Sequence, residues 1–502
     1  MRPLTLLLLL WSVVCLALRL ECARVVDYGD SEALYAVYSL FPAPSFLDHP
    51  GLIGKIYGLF GKPADAHDVH VATALLASLF PWLVRAALRF SEPTTTDTDA
   101  IVVRNDRATL VALLFATVPV VSVGLFALTP DWPLALCLTA GTAFALRAES
   151  DPERRGMHLL AAGTLFALAG FAKLTGYAFL LALVVSWLRL PAKGRTAGWV
   201  GIGLGLAPSV EMWVHEAKQG FPMLSHRVAP TVLGVAKGLG MATAGQLLYL
   251  SPLVFGLVLV FAWRFVRGRS SPQLATLLVV PALLLLLAAA LSPQAEPHWM
   301  APLLIPLAFA AYRFAPETWS RGWIRAGFGL AAAFGLVLYG WVLVPKASRW
   351  VPEAYRHDDI SRELFGQNVL RDALLRTAQE AGAGGANPVF VGPHWTLCAR
   401  IRLALPAHRY DVGCITREND DFDTWAPAVW EGAPLVVWVT DDRFEDVDAV
   451  QGAGDTISPL PSALAGYKQL SKERVRVFRG GAQARTFVWR VLQLQPAVAP
   501  AP

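Results

Sequence analysis

Charge is what this chain has least of. Only 16% of its 502 residues are Asp, Glu, Lys or Arg, while 55% are apolar. That length would allow two or three soluble domains, but so little charge leaves no polar surface to cover them. Cysteine is scarce too, five in all, and no Cys/His spacing has the form of a zinc site, so neither a metal nor another cofactor is expected. Ten-residue stretches of alternating hydrophobicity are missing, which argues against a transmembrane β-barrel. There are no evident internal repeats. The formal net charge is +5, which reads as loop arginines of a membrane protein rather than a nucleic-acid surface.

What the chain does have is a series of apolar windows of about 20 residues, each long enough to cross a hydrocarbon core. Closed helices satisfy the backbone of such a chain in lipid. The expected spans are 3–19, 69–88, 108–128, 133–147, 157–171, 174–190, 197–214, 243–264, 274–292, 299–314 and 326–345, about eleven helices. A secretory signal peptide is the alternative for 3–19, but Arg19, Glu21, Cys22 and Arg24 follow instead of a small-residue cleavage site. Arginine and lysine placement sets the orientation. With the N-terminus inside, every expected cytoplasmic end is basic: Arg85 to Arg107, Arg147 to Arg155, Arg189 to Arg195, Arg264 to Arg269, and Arg313 to Arg325. The opposite connections at 129–132 and 293–297 carry no Lys or Arg. This is a polytopic α-helical membrane protein, with residues 1–345 as the transmembrane domain.

Two segments on the outer side are long. Residues 20–67 carry Tyr35, Tyr38, Phe41, Phe46 and Tyr57, which favour the headgroup zone and a helix lying on the membrane. Residues 215–242 read as a polar surface loop. After Val344 the composition changes, and residues 346–502 hold 19 of the chain's 38 acidic residues. A helical pattern over about 360–381 precedes short β-rich runs at 388–391, 434–440, 475–478 and 486–491, the signature of a small α/β extracytoplasmic domain. The Pro/Ala tail after Gln495 reads as disordered. Cys398 and Cys414 fall in this outer domain, where they form either a disulfide or two buried thiols.

Acidic and basic groups beside a bilayer are expensive and mark chemistry. Asp30 and Glu32 follow the first apolar run. In a helix their side chains diverge by about 200°, so they meet one ligand only in a turn or extended segment. A carboxylate there suits a general base; the alternative is an acidic helix start, which Asp30-Ser-Glu32 also fits. Lys173 splits two short apolar runs and suits a phosphate contact, with snorkelling to water as the alternative. Gln294-Ala-Glu296-Pro-His298-Trp299 joins two spans on the outer side, where His298 suits a phosphate oxygen or simply faces water.

Four blocks together resemble the GT-C membrane glycosyltransferases of the aminoarabinose-transferase and protein O-mannosyltransferase type (families 39 and 83). They are Asp30-Ser-Glu32-Ala-Leu-Tyr35 with Leu47-Asp48-His49-Pro50, Gly170-Phe-Ala-Lys173-Leu-Thr, Pro208-Ser-Val-Glu-Met-Trp213 running on to His226-Arg227, and Glu296-Pro-His298-Trp299-Met-Ala-Pro302. The resemblance implies a polyprenyl-phosphate sugar donor and inverting transfer to a lipid A-like lipid, glycan or protein at the periplasmic face of a bacterial inner membrane. It implies Asp30 as catalytic base with Glu32 second, Lys173, Arg227, His298 and Glu296 at the donor phosphate, and Tyr35, Asp48 and His49 shaping the acceptor side. In the family the Asp-Glu dyad is adjacent, whereas Ser31 intervenes here. Aligning on Glu32-Ala puts Ser31 at the acid's position; aligning on Gly29-Asp30 keeps the acid. Val214 also stands where asparagine is common. The rival readings are a transporter, which calls for mid-span charges and two-fold repetition, and a non-catalytic envelope-assembly protein.

Overall fold

The structure is a computed structural model that describes residues 2–495, apart from 189–191, 193, 227–231, 247–255, 257–259, 261–262, 265–266, 269–270, 293–294, 315–320, 353–358, 383–384, 417–418 and 445–459. In chain order the helices are α1 Pro3–Val25, α2 Asp30–Tyr38, α3 Leu52–Tyr57, α4 Ala66–Phe90, α5 Thr98–Thr117, α6 Pro119–Ser122, α7 Asp131–Ser150, α8 Arg155–Ala172, α9 Gly176–Trp187, α10 Arg195–Leu206, α11 Val210–Lys218, α12 Pro222–Ser225, α13 Val232–Thr243, α14 Pro272–Leu291, α15 Leu304–Phe314, α16 Arg321–Leu343, α17 Gln367–Gly382 and α18 Trp395–Ala404. The strands are β1 Val389–Gly392, β2 Val412–Cys414, β3 Leu435–Asp441, β4 Tyr467–Arg479 and β5 Ala482–Leu494.

The chain divides into two compact units. One comprises Met1–Glu21, Ala43–Ile53 and Val69–Tyr339; the other comprises Cys22–Pro42, Gly54–Asp68 and Gly340–Pro502. A single cut at 345 therefore misses one feature, since residues 22–42 and 54–68 group with the C-terminal part.

The first unit is helical. Among the described residues five helices are long and apolar enough to cross a membrane: α1, α4, α8, α14 and the Ile324–Leu343 part of α16. A sixth is broken. The expected span 108–128 bends by 79° between α5 and the segment Pro119–Phe126, because Pro119 has no N–H for the helix and pushes Val118 into an extended conformation (ψ 132°). The expected span 243–264 lies largely outside the described residues. Residues 232–242, expected as loop, are helical in α13, where only Lys237 interrupts an apolar, alanine- and glycine-containing sequence. Helix α8 packs against α7, α9 and α10, and α14 against α9 and α13. One core joins Leu8, Trp11 and Cys15 of α1 to Ala112, Leu113 and Ala116 of α5.

The second unit holds a five-stranded sheet in the order β2-β1-β3-β5-β4. β1 runs parallel to β2 and β3; β5 is antiparallel to β3 and β4. Val391, Val436, Trp438, Leu464 and Leu492 form its core. The expected helix and all four expected strands are present. The short strand β2 is additional, and β4 and β5 are longer than the apolar runs, extended by polar residues of which Arg479, Arg485 and Arg490 are buried. Cys398 of α18 and Cys414 of β2 form a disulfide with a Cα–Cα distance of 5.9 Å.

Candidate functional site

Two groups of charged side chains stand out, one in each unit. In the first unit the centre is an ion pair. The Nζ of Lys173 donates to Oδ1 and Oδ2 of Asp131 at 2.9 and 3.0 Å. Lys173 ends α8 with an extended backbone (φ −156°, ψ 140°), and α9 starts three residues later. The turn is tight: a Cβ on Gly176 would stand 2.2 Å from the Ala169 carbonyl. The lysine side chain is 7% exposed, so it does not snorkel to water. Its burial is offset by the carboxylate.

Asp131 is the first residue of α7, where a negative charge suits the helix dipole. The imidazoles of His298 and His49 lie close enough to act on it electrostatically. His298 in turn pairs through Nδ1 with Glu296 at 2.9 Å. That segment, Pro297–Leu303, is a 3-10 turn packed against α7. Asp48 and His49 sit in a short loop closed by the Phe46 N–H donating to the His49 carbonyl at 2.9 Å. Asp48 Oδ1 lies 2.8 Å from His226 Nε2, and the other ring nitrogen of His226 meets the Pro222 carbonyl at 3.0 Å. Arg227 lies outside the described residues.

The far end of α7 has a second polar cluster. Glu149 accepts from Ser271 Oγ at 2.9 Å and pairs with Arg313 at 3.6 Å, while Arg104 pairs with Glu92 at 2.8 Å. Asp131 and Glu149 lie on one helix about 27 Å apart, close to the thickness of a hydrocarbon core. Arg104, Arg147 and Arg313 therefore lie at one end of α7, and Lys173, His298 and His49 at the other.

In the second unit Asp30 opens α2 with Gly29 as N-cap. Glu32 closes a capping box, its Oε2 accepting from the Gly29 N–H at 3.2 Å. The segment is thus a helix start, and the two acids diverge. Asp30 Oδ1 accepts from Arg400 Nε at 2.7 Å, and Oδ2 pairs with Arg443. Arg443 also pairs with Asp441 at 2.9 Å, and Asp441 accepts from Arg485 Nε at 2.9 Å. Burial favours the neutral form of Asp30, but Arg400, Arg443 and Arg485 outweigh it and hold the carboxyl well below the usual range. A carboxylate so held is a weak base. Burial, reinforced by the Asp30 charge, pushes the neighbouring Glu363 up. Burial also brings Arg485 down to about 10, with Asp441 opposing and Arg400 and Arg443 assisting. Tyr35 packs against the rings of Tyr38 and Tyr57.

Sequence reasoning missed Asp131 and the arginines. For Asp131 a signal existed: it is the only charged residue between Arg107 and Arg147. For Arg443 there was none, since it lies among ordinary polar residues, and Arg400, in Leu397-Cys-Ala-Arg400-Ile-Arg402, passes for one face of an amphipathic helix.

These elements define a polytopic membrane protein of the GT-C glycosyltransferase fold. Its likeness is to ArnT from Cupriavidus metallidurans. The crystal structure of that protein bound to undecaprenyl phosphate aligns over 97% of this chain and 97% of its own, with a TM-score of 0.56 and 16% identity. The apo state of the same protein aligns over 96% and 97%, with a TM-score of 0.57 and 17% identity. No family model and no curated protein matches the sequence.

Proposed function

We propose that this protein moves a sugar from a polyprenyl-phosphate donor to an envelope acceptor (a lipid A-like lipid, a glycan or a protein) at the periplasmic face of a bacterial inner membrane. The N-terminus is inside and residues 346–502 are outside. The observation that carries this reading is the buried Lys173–Asp131 pair with two imidazoles beside it, at one end of a membrane-length helix. It stands in a fold shared with a protein crystallised on undecaprenyl phosphate.

The chemistry follows from the pair. A lipid phosphate entering the cluster competes for the Lys173 ammonium, and the Asp131 carboxylate is released. The acceptor oxygen then bonds to the anomeric carbon from the face opposite the phosphate. The bond from that carbon to the phosphate oxygen breaks, its electron pair leaves with polyprenyl phosphate, and the acceptor proton passes to Asp131. Lys173 and His298 neutralise the charge that grows on the departing phosphate, a task the sequence resemblance also assigns to Arg227. Glu296 orients the His298 ring. Asp48 and His49 shape the acceptor side. Asp30 and Glu32, which begin the same motif, position α2 instead of abstracting a proton, and Tyr35 shapes its aromatic packing.

Native mass spectrometry of the purified protein with undecaprenyl phosphate and with undecaprenol tests the donor assignment. The phosphate is expected to be retained and the alcohol lost, and Lys173→Ala should remove the difference. Equal retention by the wild type would overturn the proposal.

A further inference from the structure

The β4–β5 hairpin of the second unit is tied to the end of a spanning helix. Helix α16 stops at Leu343, and its last carbonyls need donors. Arg479, at the end of β4, supplies them: its Nη2 donates to the Trp341 carbonyl at 2.6 Å and also to that of Val342. The following 3-10 turn, Pro345–Trp350, is fixed by Ser348 Oγ donating to the Arg479 carbonyl at 3.0 Å. The hairpin turn lies directly on it. A Cβ on Gly480 (φ 57°) would stand 2.3 Å from the Pro345 carbonyl. The root of the sheet is thus held within a few residues of where the chain leaves its apolar helix.

This root is apolar and aromatic where it meets solvent. Trp350 is 75% exposed, Phe478 62% and Val344 47%. Strand alternation turns Val477 and Arg479 inward and Phe478 outward, on the same face as exposed Arg474 and Arg476. Lys346 and Arg349 on the neighbouring turn are exposed as well. Exposed aromatic rings with cations around them, next to a spanning helix, have the composition of a segment lying in the headgroup zone.

We propose that this patch, Trp350 and Phe478 framed by Arg474, Arg476, Lys346 and Arg349, is a membrane-contact surface that rests the sheet on anionic lipid headgroups. The rings enter the interface and the guanidinium and ammonium groups meet lipid phosphates. Lipid is the occupant the observations favour because the helix end fixes the patch at the bilayer edge and its charges are of one sign. The proposal is independent of the reaction catalysed.

The test uses the full chain in vesicles of phosphatidylethanolamine and phosphatidylglycerol, with p-benzoylphenylalanine in place of Phe478. The same probe replaces exposed Lys468, about 30 Å away along β4. After irradiation, intact-protein mass spectrometry is expected to find phospholipid adducts at position 478 and not at 468. Arg474→Gln with Arg476→Gln should lower the phosphatidylglycerol share of those adducts by about five-fold or more. Lipid adducts equal at both positions, adducts only to a second copy of the chain, or a share unmoved by the double substitution would each overturn the proposal.

Discussion

Arg400 Nε donates to Asp30 Oδ1 at 2.7 Å, across 370 positions of sequence. Both side chains are nearly excluded from solvent, so neither charge tolerates loss of the other. Arg400→Gln is expected to destabilise the second unit, but by less than the cost of a buried charge left alone, about 3–5 kcal/mol, because Arg443 still pairs with Asp30. Asp30→Asn/Arg400→Gln together should cost less than the sum of the single changes. The pH dependence has a definite sign. The folded-state pKa of Asp30 lies below its unfolded value, so its stabilisation is present above about pH 4 and is lost as the pH falls further. Melting curves in detergent between acid and neutral pH check this: Asp30→Asn should flatten the acid limb.

Lys173 and Asp131 should behave differently, because the proposed reaction separates them. Lys173→Ala is expected to raise the apparent KM for the lipid donor, and Asp131→Asn to lower kcat by about 100-fold or more while the donor still binds. Steady-state transfer assays on membranes containing equal amounts of each protein separate the two effects. A loss of donor binding in Asp131→Asn with unchanged kcat would reverse the roles.

The Cys398–Cys414 disulfide closes a loop of 16 residues and pins α18, which carries Arg400, to β2. Its loss through Cys398→Ser/Cys414→Ser should cost about 3 kcal/mol. Differential scanning fluorimetry with and without a reductant measures it, and the double variant should be insensitive to the reductant.

Asp420 gives a second pH effect, opposite in sign to that of Asp30. Burial, followed by the neighbouring Asp423 charge, raises its carboxyl to about 7. The unfolded chain loses this proton near pH 4 while the fold keeps it. Stability contributed here therefore falls as pH rises from about 4 to about 7, by up to about 4 kcal/mol. Asp420→Asn should remove that slope, which melting temperatures across the window will register.

The sequence carried much of the architecture because bilayer thickness leaves few choices for long apolar runs. The small α/β domain was legible from β-branched runs bounded by turns. The break at Pro119 was less so, since the apolar run continues through it and hydropathy does not register a missing N–H. Lys173 and His298 were visible as polar residues in apolar surroundings. Asp131 has the same character, yet it passes for a helix start until Lys173 is seen on it. The hold of Arg400 and Arg443 on Asp30 depends on chain pairing over hundreds of residues, and nothing local encodes it.

The central claim is that Asp131 and Lys173 carry glycosyl transfer. Mass spectrometry of envelope lipids, glycans and proteins from cells lacking the protein, restored with wild type, Asp131→Asn or Lys173→Ala, tests it most directly. One glycosyl group should be missing in the deletion, restored by wild type and still missing with either inserted variant. Its full return with both variants, or no missing group in the deletion, would contradict the account.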